Sequence, residues 1–523
     1  MKTFNTTGVC LPQKHYMVNI DGKLQSIMKM ISAGKYFTIN RARQYGKTTT
    51  LQSLEKVLLD NDYSCIRISF EGLGDKSFSS AAFFCQEFLE QVYAALHPHD
   101  ADYASSWLNK SVDDFAPLNR HISSLCEKRK VILIIDEVDK ASNNSIFLHF
   151  LGMLRNQYLE REKKAAFHSV ILAGVYDIRN VKIKLINEGL HTKPGDPERL
   201  LNSPWNIASD FDVDMSFNPI EISTMLTEYE HDNQTGMNIM LTAEEIFKFS
   251  SGYPYLVSRI CQLIDEKFDK EWTVNGVLNA VKYITAIEIN TLFEDLFKNI
   301  KNNRGIYNFL YDILISGNKR PRDRFNSDVE WCRMFGIITT GINNEVGISN
   351  KIFESVLVGH FIDAEPEANK ISDETCNILR YDIIREGKFD IELCLRKFSE
   401  FYTSIFTQSD IPYLEKQARL IFIAYLHPLV NGQGFYHLES QLTDSRRMDI
   451  VVNFAGDLFI IELKLWRGEA ARDRAYEQLL GYMSKKQVDN GYLLTFDLRK
   501  NSKKEHKAEW VDFDGRRIFD III

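Results

Sequence analysis

Arg41-Ala42-Arg43-Gln44-Tyr45-Gly46-Lys47-Thr48 carries the residue types that hold a polyphosphate. The segment follows the apolar run YFTIN at 36–40 and opens a helical pattern through Leu51, Leu54, Val57 and Leu58. Strand, loop, helix is the order that phosphate binding needs. In that order the main-chain N–H groups of Arg43, Gln44, Tyr45 and Gly46 surround a β-phosphate, and Lys47 offsets the charge of the β and γ oxygens. Thr48, followed by Thr49, offers a hydroxyl to Mg2+. Arg41 stands where such loops usually start with glycine, and a Gly-Lys-Thr alone is common by chance. A second feature supports it: VILIIDEVDK at 131–140, an apolar run ending in two carboxylates. A strand buried on both faces that exposes acids at its C-terminal end builds a ligand site. Asp136 is expected to hold the water shell of the Mg2+ and Glu137 to polarise the attacking water, against the plainer alternative of a solvated strand end.

A second set lies in RRMDIVVNFAGDLFIIELKLW, 446–466, whose alternation predicts a hairpin turning at Ala455-Gly456. Pairing through that two-residue loop sets Asp449 opposite Glu462, since 449 + 462 equals 454 + 457. Directly opposed residues share a face, and Lys464 lies one period of two beyond Glu462. Ile450, Val452, Ile461 and Leu463 then pack the other face. Two carboxylates at that spacing repel unless a hard cation such as Mg2+ or Mn2+ lies between them. With a lysine to orient the water, the chemistry is metal-assisted phosphodiester hydrolysis. A hairpin face bearing three solubilising charges is the alternative.

The elements that must position these residues follow from the pattern along the chain. Its 523 residues give a prior of three or four domains. Hydrophobic content of 44% with 26% charged residues excludes wholesale disorder. Sixty-three basic against 71 acidic residues leave a net charge of −8, so any polyanion must meet a local patch. Eight cysteines without a CxxC pair suit a reducing cytoplasm, and no apolar run reaches the ~20 residues of a membrane helix. Short β-branched runs at 36–40, 65–70, 131–135, 169–173 and 212–217 alternate with helical stretches, predicting a parallel α/β sheet. Helical periodicity follows from Glu221 to Asn299, and then two helices and a small hairpin up to Phe361 suggest a winged helix. A polar linker begins near Asp363, and a strand-rich stretch ends near Phe496.

The loop and the acidic strand end together resemble the AAA+/STAND group of P-loop ATPases, above all bacterial AAA-like ATPases, over about residues 1–300. The resemblance implies a polar sensor after a further strand, matched by Asp177, Arg179 and Asn180. It also implies a lid helix opened by a Gly-x-Pro turn, matched by Gly252 and Pro254, with Arg259 further along. Residues from about Glu415 to Phe496 resemble the PD-(D/E)XK nuclease superfamily. That implies Asp449, Glu462 and Lys464 as catalytic residues and a following helix with Gln478 and Tyr482. It also implies an earlier helical acid, Glu415 or else Glu439, as a further metal ligand, with Met448 in place of the family's proline. The resulting expectation is an α/β multidomain protein: a P-loop ASCE ATPase core at 1–220, a helical lid at 221–300, a winged helix at 301–362, a linker with helices at 363–410 and a restriction-endonuclease-like domain at 411–523. ATP and Mg2+ are the expected cofactors, with Mn2+ an option at the second site. DNA is the expected partner, no membrane is involved, and a homo-oligomer is compatible. Arg467, Arg472 and Lys485 are among the basic residues expected to face phosphates. A nucleotide-switched signalling or DNA-binding scaffold is the rival expectation.

Overall fold

The computed structural model describes residues 2–141, 144–174, 205–288, 290–316, 320–323, 326–341, 344–364, 382–405, 411–430, 434–438, 450–499 and 507–523. The chain divides into two compact units, one of 1–247 with 252–272, the other of 248–251 with 273–523.

In the first unit, strands β1 (Phe37–Asn40), β2 (Ser64–Ser69), β3 (Val131–Asp136) and β4 (Ser169–Gly174) form a parallel sheet of order β1-β4-β3-β2. Helices α1 (Asp21–Ser32) and α2 (Lys47–Asp60) accompany it, with α3 (Ala81–Leu96), α4 (Ala101–Ser105), α5 (Phe115–Cys126) and α6 (Ser145–Glu160). The unbroken apolar run of β3 is explained by its burial on both faces. Leu133 and Ile135 join a core with Phe84, Phe88, Ile122 and Phe150, while Ile132 and Ile134 join another with Leu24, Ile27, Leu51 and Leu54. Truncating Leu133 to Ala in this layer would cost about 2–5 kcal/mol. Three more helices, α7 (Pro219–Asn233), α8 (Ile239–Ser250) and α9 (Pro254–Glu266), supply the helical region that the periodicity predicts after the sheet.

The fifth strand expected at 212–217 is not formed. The chain makes one bridge, Ser209 to Phe37, with the Ser209 amide donating to the Tyr36 carbonyl at 2.8 Å. Phe211 then stacks on Phe37 at 5.8 Å. The alternation of Phe211, Val213 and Met215 with Asp210, Asp212 and Asp214 mimics a half-buried strand, and Phe211 and Val213 do pack on the core that includes Phe37 and Ile39 of β1. No ladder follows, because three alternate carboxylates favour solvent over a paired edge.

The second unit opens with α10 (Val274–Ala286), α11 (Thr291–Asn302), α12 (Arg304–Tyr311) and α13 (Ser327–Met334). A hairpin of β5 (Ile338–Thr340) and β6 (Val346–Ile348) follows, then α14 (Lys351–Ala364), the short pair β7 (Ile384–Arg385) and β8 (Lys388–Phe389), α15 (Ile391–Ile405) and α16 (Ile411–Val430). A six-stranded sheet completes it: β9 (Gly434–His437), β10 (Ile450–Phe454), β11 (Asp457–Leu465), β12 (Asn490–Phe496), β13 (Lys507–Phe513) and β14 (Arg516–Ile522), in order β13-β14-β12-β11-β10-β9. Helix α17 (Glu469–Lys486) carries the chain from β11 to its parallel neighbour β12. Its residues Ala475, Tyr476, Leu479, Tyr482 and Met483, one helical face, pack on Val451, Ile460, Leu493 and Ile518 of the sheet. The strands continue past Phe496, where the sequence reading stopped. The Asp514-Gly515 turn between alternating runs, with φ of 50° and 89°, was the available signal for β13 and β14. Among the described residues no helix is long and apolar enough to cross a membrane.

Candidate functional site

Helix α2 starts at Gly46, whose φ of 74° lies in the left-handed region and lets the loop turn into the helix. Lys47 is almost fully buried, and its Nζ donates to the carbonyls of Arg41 and Ala42, both at 2.9 Å. The Thr48 hydroxyl donates to the Asp136 carboxylate at 2.9 Å, joining the loop to the end of β3 across the sheet. Glu137 follows with a φ of 54°, uncommon for a residue with a side chain, and its amide donates to Asp136 Oδ1 at 3.0 Å. Burial pushes the Glu137 carboxyl above the usual carboxylate range, against the opposing pull of Lys47. Burial likewise lowers Lys47, while Glu137, Asp136 and Asp139 act to keep it charged. Arg41, in the place of the usual glycine, turns away: its guanidinium donates to the carbonyls of Asn40 at 2.8 Å and Val213 at 3.2 Å and lies 5.7 Å from the Phe211 ring centroid.

The hard oxygens of Thr48 and Asp136, side by side, fit a Mg2+ ion, and the Gly46 turn with buried Lys47 fits a polyphosphate. Gln44 also has a left-handed φ of 59°. The Thr49 hydroxyl accepts from the Cys10 amide at 3.2 Å, away from that role. The turn that opens α9 reaches the loop: the Tyr253 hydroxyl donates to the Arg43 carbonyl at 3.2 Å, and its ring meets Tyr45 edge-on at 4.6 Å. Tyr45 in turn shares a 2.7 Å hydrogen bond with Ser216. Arg259 donates to Gln262 on its own helix at 2.7 Å. The sensor residues Asp177, Arg179 and Asn180 lie outside the described residues.

In the second unit the hairpin register is the one the loop arithmetic gives, with Ile450 opposite Ile461 and Phe454 opposite Asp457. Ala455 and Gly456 have φ of 51° and 96°, both left-handed as a two-residue hairpin loop requires. Asp449 and Glu439 lie outside the described residues, as does the side chain of Glu415. The rest of the set comes together. Glu462 is fully buried beneath α17, with Lys464 Nζ 2.6 Å from its carboxylate. Lys464 Nζ also lies 3.5 Å from Gln478 Oε1, and Gln478 Nε2 lies 3.3 Å from the Tyr482 hydroxyl. Among the described residues no group of three His, Cys, Asp or Glu side chains is placed to hold a metal. Arg472 corrects an expectation: it is mostly buried, with Nη2 2.6 Å from Asp520, so its charge is neutralised inside the fold and not turned to solvent phosphates. Tyr476 bonds the same carboxylate, and these contacts hold the Arg472 guanidinium above its usual range against the cost of its burial.

Residues 9–353 match the family model described as AAA-like domain. The chain belongs to that family. Two solved structures are similar: a Walker-type ATPase of Pyrococcus abyssi at 12% identity, covering 68% of this chain and 99% of that one with a TM-score of 0.45, and the RuvB Holliday junction branch migration motor of Thermotoga maritima at 13% identity, covering 64% and 94% with a TM-score of 0.31. At such scores they add nothing to the family assignment. Among curated proteins, none matches the chain.

The AAA-like region holds two site residues that sequence reasoning missed. A Cβ at Gly174 would stand 2.8 Å from Asp139 Oδ1, so any larger residue at the end of β4 would displace that carboxylate. Asp139 stands three residues beyond Asp136 in the quoted motif, but nothing in the spacing tied it to β4. Tyr253 sits inside the Gly-x-Pro turn that was singled out, and its grip on a loop 210 residues earlier is a tertiary fact without a local signal.

Proposed function

We propose that the AAA-like region binds and hydrolyses ATP with Mg2+ and that this controls a C-terminal, metal-dependent DNA phosphodiesterase. The observation that supports the first half is the contact of Thr48 with Asp136 beside buried Lys47 and the raised Glu137. Held at Thr48 and Asp136, Mg2+ would supply positive charge to offset the charge that develops on the phosphate. Lys47 would then exchange its two loop carbonyls for phosphate oxygens, and Thr48 and Asp136 would hold the ion and its waters. Glu137 would take the proton of the attacking water, a role suited to a carboxylate whose burial raises it above its ordinary range. Asp177 and Asn180 are kept as sensors in this reading.

Support for the second half comes from the contiguous set Glu462, Lys464, Gln478 and Tyr482 on a helix-covered sheet, with a register that would continue to Asp449 opposite Glu462. Glu462, Asp449 and Glu415 would hold Mg2+ or Mn2+, Lys464 would orient the water, and Gln478 would hold Lys464 in place. In this reading 301–362 is a winged helix, the protein acts in the cytoplasm on DNA, and it is free to self-associate. Defence against foreign DNA is the biological role we favour. The experiment is cleavage of plasmid and linear DNA with Mg2+ or Mn2+, with and without ATP, by wild type and Asp449→Ala. Loss of cleavage in the variant supports the reading. Absence of cleavage by wild type under every condition replaces it with a nucleotide-switched, DNA-binding scaffold.

A further inference from the structure

Beside Lys464 the second unit has a cavity of about 260 Å3, lined by Lys464, Trp466, Arg467, Gly468, Arg472 and Thr495 among others. It lies where β11 ends and α17 begins. Three features meet there. The first is the start of an 18-residue helix whose N-cap, Gly468, has no side chain to bond the first-turn N–H groups; the Ala471 amide donates to the Gly468 carbonyl at 3.0 Å, which leaves the amides of Glu469 and Ala470 at the positive end of the helix dipole for an anion. The second is Thr495, which is 3% exposed and lines the cavity, and whose hydroxyl has no hydrogen-bond partner among the described residues. Its oxygen is reached from the cavity, so the partner it takes there is water or a ligand. Thr495 is the parallel register partner of Lys464, so the two side chains share the face of the sheet that bears Glu462.

The third feature is charge. Arg467 is an exposed cation without an ion-pair partner among the described residues. Arg472 is held in place by Asp520 and, more weakly, by Glu469 at 3.4 Å and Glu509 at 3.9 Å, and Lys464 is held by Glu462. Lys464 thus offers an N–H donor in a fixed position more than net charge, and Arg472 forms part of the wall with its charge already answered by Asp520. The volume excludes a duplex and suits a phosphate with the sugar attached to it, roughly nine waters' worth of space at ~30 Å3 each.

We infer that this cavity is a phosphate subsite for a nucleic-acid strand, taking the phosphate next to the one at Glu462 and Lys464, through Thr495, Arg467 and the N–H groups that open α17. The inference rests on the nuclease reading for its polymer, yet its test is separable because binding is read without cleavage. Full-length protein is titrated into a fluorescent 5′-phosphorylated single-stranded oligonucleotide in EDTA, by anisotropy over a range of salt. Thr495→Val should weaken binding about fivefold, and Thr495→Ser should restore it, which a packing defect would not allow. Arg467→Gln should lower the slope of log affinity against log salt by about one. Millimolar inorganic phosphate should compete in wild type and far less in Thr495→Val. Wild-type affinity, salt slope and phosphate competition in both variants overturn the subsite, even where Asp449→Ala abolishes cleavage and the nuclease reading stands. Loss of phosphate competition in Thr495→Val from a wild type that cleaves nothing keeps the subsite as a strand grip and removes the nuclease.

Discussion

Each candidate site is built around a lysine, and the two lysines are held in different ways. Lys47 is buried and its ammonium donates to two main-chain carbonyls, which are neutral dipoles. Lys464 is half exposed and rests 2.6 Å from the Glu462 carboxylate. An arriving polyphosphate meets at Lys47 a charge with no counterion in direct contact, and every oxygen it offers is a gain over a carbonyl. At Lys464 it meets a pair that is already neutral. A cation that Glu462 came to hold would share its carboxylate with Lys464, so metal and lysine would compete for one negative charge. The first site is poised for an anion in its ground state; in the nuclease reading the second would become active only when a cation shares its carboxylate.

The strongest way to break this contrast is Lys47→Ala, which should weaken ATP binding at least ~100-fold by calorimetry, since the charge of the phosphates is then uncompensated. Equal affinity in wild type and variant would remove the phosphate loop from the proposal. Next, Glu462→Gln should abolish both Mn2+ binding and DNA cleavage, whereas Lys464→Ala should bind Mn2+ at least as tightly as wild type while cleavage falls about 100-fold. Weaker metal binding in Lys464→Ala would mean that the lysine supports the carboxylate and does not compete for it. Glu137→Gln should retain ATP and lose hydrolysis by a similar ~100-fold factor; an unchanged rate would move the base elsewhere.

Arg472→Ala should cost roughly 3 kcal/mol of stability in urea unfolding by leaving Asp520 buried without its cation, with DNA affinity little changed in the folded fraction. A loss of DNA affinity without loss of stability would return Arg472 to the surface role its sequence suggests. The smallest effect expected is a rise of about 1–2 °C in the Tm of nucleotide-free Glu137→Gln at pH 8. The folded Glu137 has a raised pKa, so its stability contribution is greatest below the unfolded value and is lost as pH rises through the folded one. The gain from Gln should therefore fade as pH falls toward 4.5, the ordinary value of the group.

What could be read from the sequence was what local spacing fixes. The phosphate loop and the acids ending β3 are contiguous motifs, and a two-residue turn determines every pair in the β10–β11 hairpin. The misreadings have one origin. Arg472 looked like surface charge because its partner, Asp520, comes 48 residues later on another strand. Residues 212–217 looked like a strand because alternation reports burial of one face and says nothing of whether a neighbour will pair with it. The grip of Tyr253 on Arg43 had no trace at all, since it depends on how α9 packs on the loop.

That last contact makes the ATP site readable from outside itself. The Arg43 carbonyl is fixed by a fully packed tyrosine at the root of α9, and the Cβ and Cγ of Pro254 lie 3.8 and 3.9 Å from where a Cβ on Gly46 would be. A loop that shifts when phosphate arrives must either break this clasp or draw the helix with it. If that helix has two positions, the free energy that holds the clasp shut would be subtracted from the affinity of ATP in one and restored in the other, so the helix would act as a thermodynamic gauge of occupancy even though its tyrosine donates to the protein's own backbone.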